Sequence, residues 1–147
     1  MYETLLQARW AGSSLYHTLR AAAGSRSAIA AYFRQDRMGA RAAFAAVLQE
    51  YPDDPNALHG LGRLDLEARQ FASARRLVER AIAISPDAGE FRLTLARIFA
   101  ATGAPGEARA EAMRAAHDPQ LREAALSLLS QLPPDGVPAP AMVPSAM

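Results

Sequence analysis

Ala40, Ala74 and Ala108 stand 34 residues apart, and Arg41, Arg75 and Arg109 follow them at the same interval. The spacing also joins Ala28, Gly62 and Ala96; Phe44, Val78 and Ala112; and Val47, Ala81 and Ala115. Leu61 pairs with Leu95 and Pro52 with Pro86, while Pro119 arrives one residue early. So many positions on one period mark a supersecondary unit copied along the chain. A single copy cannot bury its apolar face alone, so copies stack and share a continuous core. The chain is therefore expected to be a linear stack.

Each period divides into two helical patterns. Residues 56–68 place Leu58, Leu61, Leu64 and Leu66 near helical spacing, and residues 72–84 carry Ala74, Leu77, Val78, Ala81, Ile82 and Ile84 on one broad face. Arg69-Gln70 is the turn between them. Ser85-Pro86-Asp87 ends the pair, because proline supplies no N–H and disfavours helix in the residue before it. The next period repeats this over 89–101, a Gly103-Ala104-Pro105 turn and 106–117; the previous one reads as 26–35 and 39–51, closed by YPDDP. The amphipathic run 119–132 is read as a helix capping the open end of the stack.

The middle copy, PNALHGLGRLDLEARQFASARRLVERAIAISPDA, resembles the tetratricopeptide repeat family. Leu58 stands where a large apolar residue is common, Leu61-Gly62 matches the Leu-Gly pair, Ala74 and Ala81 match the two small residues of the second helix, Val78 fills an aromatic slot and Pro86 matches the closing proline. Asp65 departs from the usual Tyr. The third copy matches through Leu95-Ala96, Phe99, Ala108 and Ala115, and the first through Ala40, Phe44, Val47 and Pro52. The resemblance implies an all-α right-handed superhelix of about three helix pairs: a degenerate repeat at 21–54, repeats at 55–88 and 89–118, and the capping helix at 119–132. Residues 1–20, with Leu5, Leu6, Trp10, Leu15, Tyr16 and Leu19, read as an N-terminal helical cap that could also serve a homodimer, since Trp and Tyr are favoured anchors. Residues 133–147 are rich in Pro and Ala and are expected to be disordered.

Composition closes off most chemistry. All basic residues among the 147 are arginine, so no Schiff-base or P-loop lysine exists, and no cysteine offers a thiol or a disulfide. The net charge of +1 gives no strong pull toward nucleic acid. The apolar runs are too short to span a bilayer and Glu3 interrupts any leader-like start, so a cytoplasmic protein is expected. His17, His59 and His117 have no metal-ligand spacing. Gly60 and Gly62 form a GxG, but residue 65 is Asp rather than Gly and a turn precedes them, so they do not make a dinucleotide loop. Gly62 reads as a helix–helix contact; Gly60 has no explanation from the register. No catalytic residue, cofactor or metal is expected. Asp65 is expected to be a partly exposed residue of a loosely packed copy, the alternative being a pair with Arg69 four residues on; Arg75 is expected to pair with Glu79, on an outer face where Arg76 and Arg80 are solvated.

The resemblance also implies that the first helix of each pair lines a concave groove that holds a peptide or a helix. By spacing, the stripe is Asn56, His59, Arg63, Leu66 and Glu67 in the middle copy and Glu90, Leu93, Arg97, Ala100 and Ala101 in the next. In the first copy it is Ala22, Ser25, Ile29, Tyr32 and Phe33. Arg63 and Arg97 are expected to be neighbours beside Ile29, with an apolar, aromatic patch toward the first copy. That pattern suits a partner segment whose carboxylate is flanked by apolar anchors. The alternative is that Glu67 and Glu90 consume both arginines. The Lys/Asn and Lys/Arg set of chaperone-binding carboxylate clamps is replaced by Ser25, Ile29, Glu90 and Thr94. The expected role is a non-enzymatic adaptor or scaffold. Alternatives are a small chaperone resembling those of bacterial secretion systems and a regulatory subunit of an enzyme encoded elsewhere.

Overall fold

The computed structural model describes residues 24, 26–32 and 34–134, and all regular structure among them is helical. After the helical residues 26–32 come α1 (Arg37–Glu50), α2 (Pro55–Glu67), α3 (Phe71–Ile84), α4 (Gly89–Ala101), α5 (Pro105–Ala115) and α6 (Arg122–Gln131). The expected helices lie within one to three residues of these bounds, apart from the first, which stops short of 35. The N-terminal cap or dimer segment and the Pro/Ala-rich tail beyond Pro134 lie outside the described residues.

Local chemistry fixes the starts. Asp36 caps α1 by accepting from the Gly39 N–H at 2.9 Å, and Asp54 caps α2 by accepting from the Ala57 N–H at 2.7 Å. Pro55 then sits in the first turn, where an N–H would have no partner anyway. The Asp-Pro step is thus a helix start and not merely a turn.

The stops carry the period in the backbone. Gln35, Arg69 and Gly103, each 34 residues apart, have φ of 62°, 60° and 76°. Behind them Asp36, Gln70 and Ala104 donate to the carbonyls of Ala31, Asp65 and Phe99, five residues back. This left-handed C-terminal turn reverses the chain in two residues and sets the second helix against the first. Only Gly103 holds it without a Cβ penalty of about 1–2 kcal/mol. Arg69→Gly is therefore expected to stabilise the chain by about 0.5–1 kcal/mol after the extra chain entropy of glycine is subtracted, read as a higher urea midpoint.

The helices pair as α2 with α3 and α4 with α5, while α1 packs on α2, α3 on α4 and α5 on α6. Leu58, Val78, Ile98 and Phe91 fill the central core, Phe44, Val47, Ala28 and Leu64 the first, and Leu93, Ala115 and Ala125 the last. Ala40, Ala74, Ala81, Ala96 and Ala108 are fully buried, and Leu95 nearly so. A Cβ on Gly62 would lie 2.5 Å from Val78, so the expected helix contact is present there. Gly60 gains the explanation it lacked: its Cβ would sit 2.2 Å from the Phe44 ring, which is wedged against bare α2 backbone.

Three registered arginines tie each copy to the next. Arg41 on α1 meets Asp65 on α2 at 2.9 Å. Arg75 on α3 lies 5.0 Å above the Phe99 ring on α4. Arg109 on α5 donates to the Pro133 carbonyl just beyond α6. Each reaches 24 residues ahead, from one copy to the same slot of the following one. Asp65 is 5% exposed and also accepts from the Ser73 hydroxyl at 2.5 Å. Both expectations for Asp65, partial exposure and a pair with Arg69, are corrected accordingly. Arg69 stacks on Phe71 instead, because the left-handed turn carries it off the face that Asp65 occupies. The Arg75–Glu79 pair forms as expected, at 2.8 Å on an exposed face.

Candidate partner-binding groove

The first helices of successive copies, residues 26–32, α2 and α4, bring Ile29, Tyr32, Asn56, Arg63, Glu90 and Arg97 to one surface. Two depressions lie along it. A cavity of about 110 Å³ is lined by Ile29, Tyr32, Phe44, Asn56, His59, Gly60, Arg63 and Glu90. Beside it, about 210 Å³ is lined by Tyr32, Arg63, Leu66, Glu67, Thr94 and Arg97. Arg63 and Arg97 share the second depression, as equivalent positions of stacked repeats must, and Ile29 lies in the first.

Most charges on this wall are spent internally. Tyr32 donates its hydroxyl to Glu67, and its ring lies 4.6 Å from the Arg37 guanidinium and 4.7 Å from that of Arg63. Arg37 pairs with Glu67 at 2.8 Å, and Arg63 reaches Glu90 at 3.8 Å. Burial, then the bond to Glu67, raises the Tyr32 pKa above its ordinary value, so the phenol stays protonated as the donor. Arg97 is exposed, and no ion pair or hydrogen bond of its side chain is present among the described residues. Glu67 is held by Arg37 and Tyr32, so the expected alternative holds only for Arg63 and Glu90.

His59 differs from its expected role. It is 6% exposed, bonds through Nε2 to Thr94 Oγ1 at 2.8 Å and stacks 4.6 Å from the Phe91 ring. The Thr94 hydroxyl donates to the Glu90 carbonyl at 3.2 Å, which leaves Nε2 as the donor to Thr94. The histidine is a floor, not a projecting ligand. Burial and then repulsion from Arg63 and Arg97 depress its pKa to about 3. The unfolded chain takes up this proton near pH 6.5, the fold only near 3. Between those values the unfolded state binds more protons, so stability falls as pH falls, by up to about 1.4 kcal/mol per pH unit. Urea midpoints at pH 7, 6 and 5 should show this slope, and His59→Gln should flatten it above the carboxylate range.

Leu93 is a second correction. Spacing placed it in the groove, but it is 3% exposed and packs with Ala115 and Ala125. α6 lies over the turn of α4 that carries it. Ala100 and Ala101 are half-buried, and Phe33, Ala22 and Ser25 lie outside the described residues. Sequence reasoning missed Arg92, which stands in the slot of Leu58 one period on. It ties the Pro86 carbonyl to Glu111 at 3.1 Å, and Arg114 adds a 2.7 Å contact to the same carboxylate. No cluster of side chains suited to a metal ion occurs among the described residues, and no helix among them is long and apolar enough to cross a membrane.

Paired antiparallel helices, a 34-residue register and a surface formed by every first helix define an α-solenoid. A family model described as tetratricopeptide repeat matches residues 35–81 and 65–132. The chain belongs to the tetratricopeptide repeat family. No curated protein sequence matches it significantly. Among solved structures it is similar to a Thermobaculum terrenum O-GlcNAc transferase, at 27% identity and TM-score 0.72 over 77% of this chain; it spans only 22% of that one. It is also similar to the TPR2B domain of yeast Sti1 in complex with pHsp70, at 14% identity and TM-score 0.68, covering 77% of this chain and 95% of that one. The Yersinia enterocolitica type III secretion chaperone SycD, in complex with a peptide of the translocator YopD, aligns at 19% identity and TM-score 0.66, covering 78% and 91%.

Proposed function

We propose that this chain is a non-enzymatic protein-interaction module that holds an extended segment of a partner protein along the surface made by residues 26–32, α2 and α4. A carboxylate of the segment sits at Arg97 with Arg63 beside it, and apolar side chains rest against Ile29, Tyr32 and Leu66. The observation that carries this reading is Arg97, an exposed cation without an ion-pair or hydrogen-bond partner among the described residues, on a wall whose other charges are engaged. Recognition of an acidic group by an arginine left available for it adds both energy and direction. Titrating isotope-labelled protein with peptides that carry Asp or Glu among apolar residues should shift the resonances of Tyr32, Arg63 and Arg97. Shifts confined to Arg76, Glu79 and Arg80 on the opposite face would sink the reading.

A second reading, a small secretion-type chaperone, is favoured by the likeness to SycD over 91% of that chain. It adds a dimer through the N-terminal segment. Sedimentation separates the two: a dimer lost in Trp10→Ala supports the chaperone, and a monomer at all concentrations supports the adaptor.

A further inference from the structure

A further hollow lies off the groove, at the joint between α1 and α2. It is an open cleft of about 650 Å³, lined by Arg37, Met38, Arg41, Leu64, Glu67 and Ala68. Glu67 also lines the groove, so the two surfaces adjoin at the Arg37–Glu67 pair. The repeat register shows what this joint lacks. One period on, Phe71 stands in the place of Arg37 and Phe99 in the place of Asp65. The joint between α3 and α4 therefore carries two rings where the joint between α1 and α2 carries a guanidinium and a carboxylate.

The lining suits a ring. Its charges are balanced: Arg37 pairs with Glu67 at 2.8 Å and Arg41 with Asp65 at 2.9 Å, so neither an anion nor a cation gains a net attraction. The floor is apolar, with Leu64 only 3% exposed. Both arginine side chains border the cleft and are about half exposed. Their edges are spent on carboxylates, but a guanidinium bonded at its edge still offers its face to an aromatic ring. Two arginines of this chain do so already. Arg75 bonds Glu79 through Nε at 2.8 Å while lying 5.0 Å above the Phe99 ring. Arg37 pairs with Glu67 through Nε while lying 4.6 Å from the Tyr32 ring. Met38, also on the lining, is 86% exposed, and a flexible thioether packs favourably on a ring.

We propose that this cleft is a second docking site, which takes the side chain of one Trp or Phe of a partner protein between Arg37, Arg41 and Met38, over Leu64. It goes beyond the groove reading and does not depend on it. The incoming ring supplies to the first joint what Phe71 and Phe99 supply to the next. A cavity of about 150 Å³ already admits a benzene molecule, so a Trp and its flanking backbone have room.

The test uses the full chain, labelled at its Met and Leu methyl groups, and nine-residue peptides of Gly and Ser capped at both ends. Each peptide carries Trp, Phe, Leu or Glu at its centre. The Trp and Phe peptides should shift the Met38 and Leu64 methyl resonances by ring current and bind at least about fivefold more tightly than the Leu and Glu peptides. Ala68 is exposed at the end of α2, so Ala68→Trp should leave circular dichroism unchanged while its own ring blocks the cleft and removes those shifts. Leu binding within about twofold of Trp, shifts at Leu66 in the groove without any at Met38, or undiminished Trp binding to Ala68→Trp overturns the proposal. So does a Met38 resonance that moves in Trp10→Ala without peptide, which would give the cleft to this chain's own N-terminal segment. In each of these cases the groove reading stands, because acidic peptides judge it. Met38 shifts with the Trp peptide beside no response to any acidic peptide would keep the cleft and remove the groove.

Discussion

Reversing two charges, in Arg63→Glu with Arg97→Glu, is expected to lower partner affinity at least about 100-fold while far-UV circular dichroism stays unchanged. Loss of one partner in a desolvated charge pair costs about 2–5 kcal/mol, and juxtaposing like charges adds several more. The cost to the fold is small. Arg97 has no ion pair or hydrogen bond to lose among the described residues. Arg63 loses its place over the Tyr32 ring, worth about 0.5–1 kcal/mol at such a site, and a 3.8 Å contact with Glu90 worth about 1 kcal/mol at most. Arg97→Glu alone is the more incisive variant, because it breaks no ion pair or hydrogen bond among the described residues and should still remove most of the affinity. The residual binding of the unaltered chain should weaken with salt, as an exposed charge contact does. Undiminished capture of the partner by the double variant in a pull-down would show that the segment lies elsewhere on the stack.

Arg41→Ala is expected to cost about 2–3 kcal/mol of stability, more than any other exposed arginine. Asp65 is 5% exposed in the intact chain, and among the described residues the Ser73 hydroxyl would be its remaining side-chain partner. Stranding one member of a buried pair costs about 3–5 kcal/mol. The lower figure applies because the Arg41 side chain is 47% exposed and water screens it. Asp65→Phe should be milder, at about 1 kcal/mol, since the copy one period on has Phe99 in that slot under Arg75. Phe at 65 gives Arg41 a ring to lie on; in the Arg41→Ala background, Asp65→Phe should restore stability by removing the stranded carboxylate. Urea denaturation of the two single variants and the double one measures this directly. A cost below about 0.5 kcal/mol for Arg41→Ala would mean that the contact is an ordinary surface pair.

The helix pairs were legible because close packing leaves a record: two helices touch only where side chains are small, and Ala40, Ala74 and Ala108 keep that record at one interval. The neighbourhood of Arg63 and Arg97 was legible for the same reason, since stacking copies aligns equal positions. What escaped did so on physical grounds. Gln35 and Arg69 adopt the same left-handed turn as Gly103 without glycine to announce it. Asp65 was matched to the nearest arginine along its helix, whereas its partner stands 24 residues back on another. Leu93 obeys the groove spacing, but α6 covers that turn of α4, and spacing along one helix cannot register a neighbour. His59 sits at the groove stripe yet faces inward, held by Thr94 and Phe91 from the next copy. For Asp65, Leu93 and His59 the deciding contact comes from outside their own copy, and for the turns it lies in the backbone.

The arginine that closes each copy also makes the joint between copies adaptable. Arg41 accepts a carboxylate, Arg75 a ring and Arg109 a backbone carbonyl, all in the same slot. A guanidinium can satisfy itself on any of the three, so duplicating, deleting or reordering copies keeps every joint closed as long as the incoming slot offers one of them. A copy presenting alanine there would join without a latch. The stack is therefore tolerant of recombination at its seams, and a lengthened version with the middle copy inserted after the third should close Arg109 onto the carboxylate of the inserted Asp65.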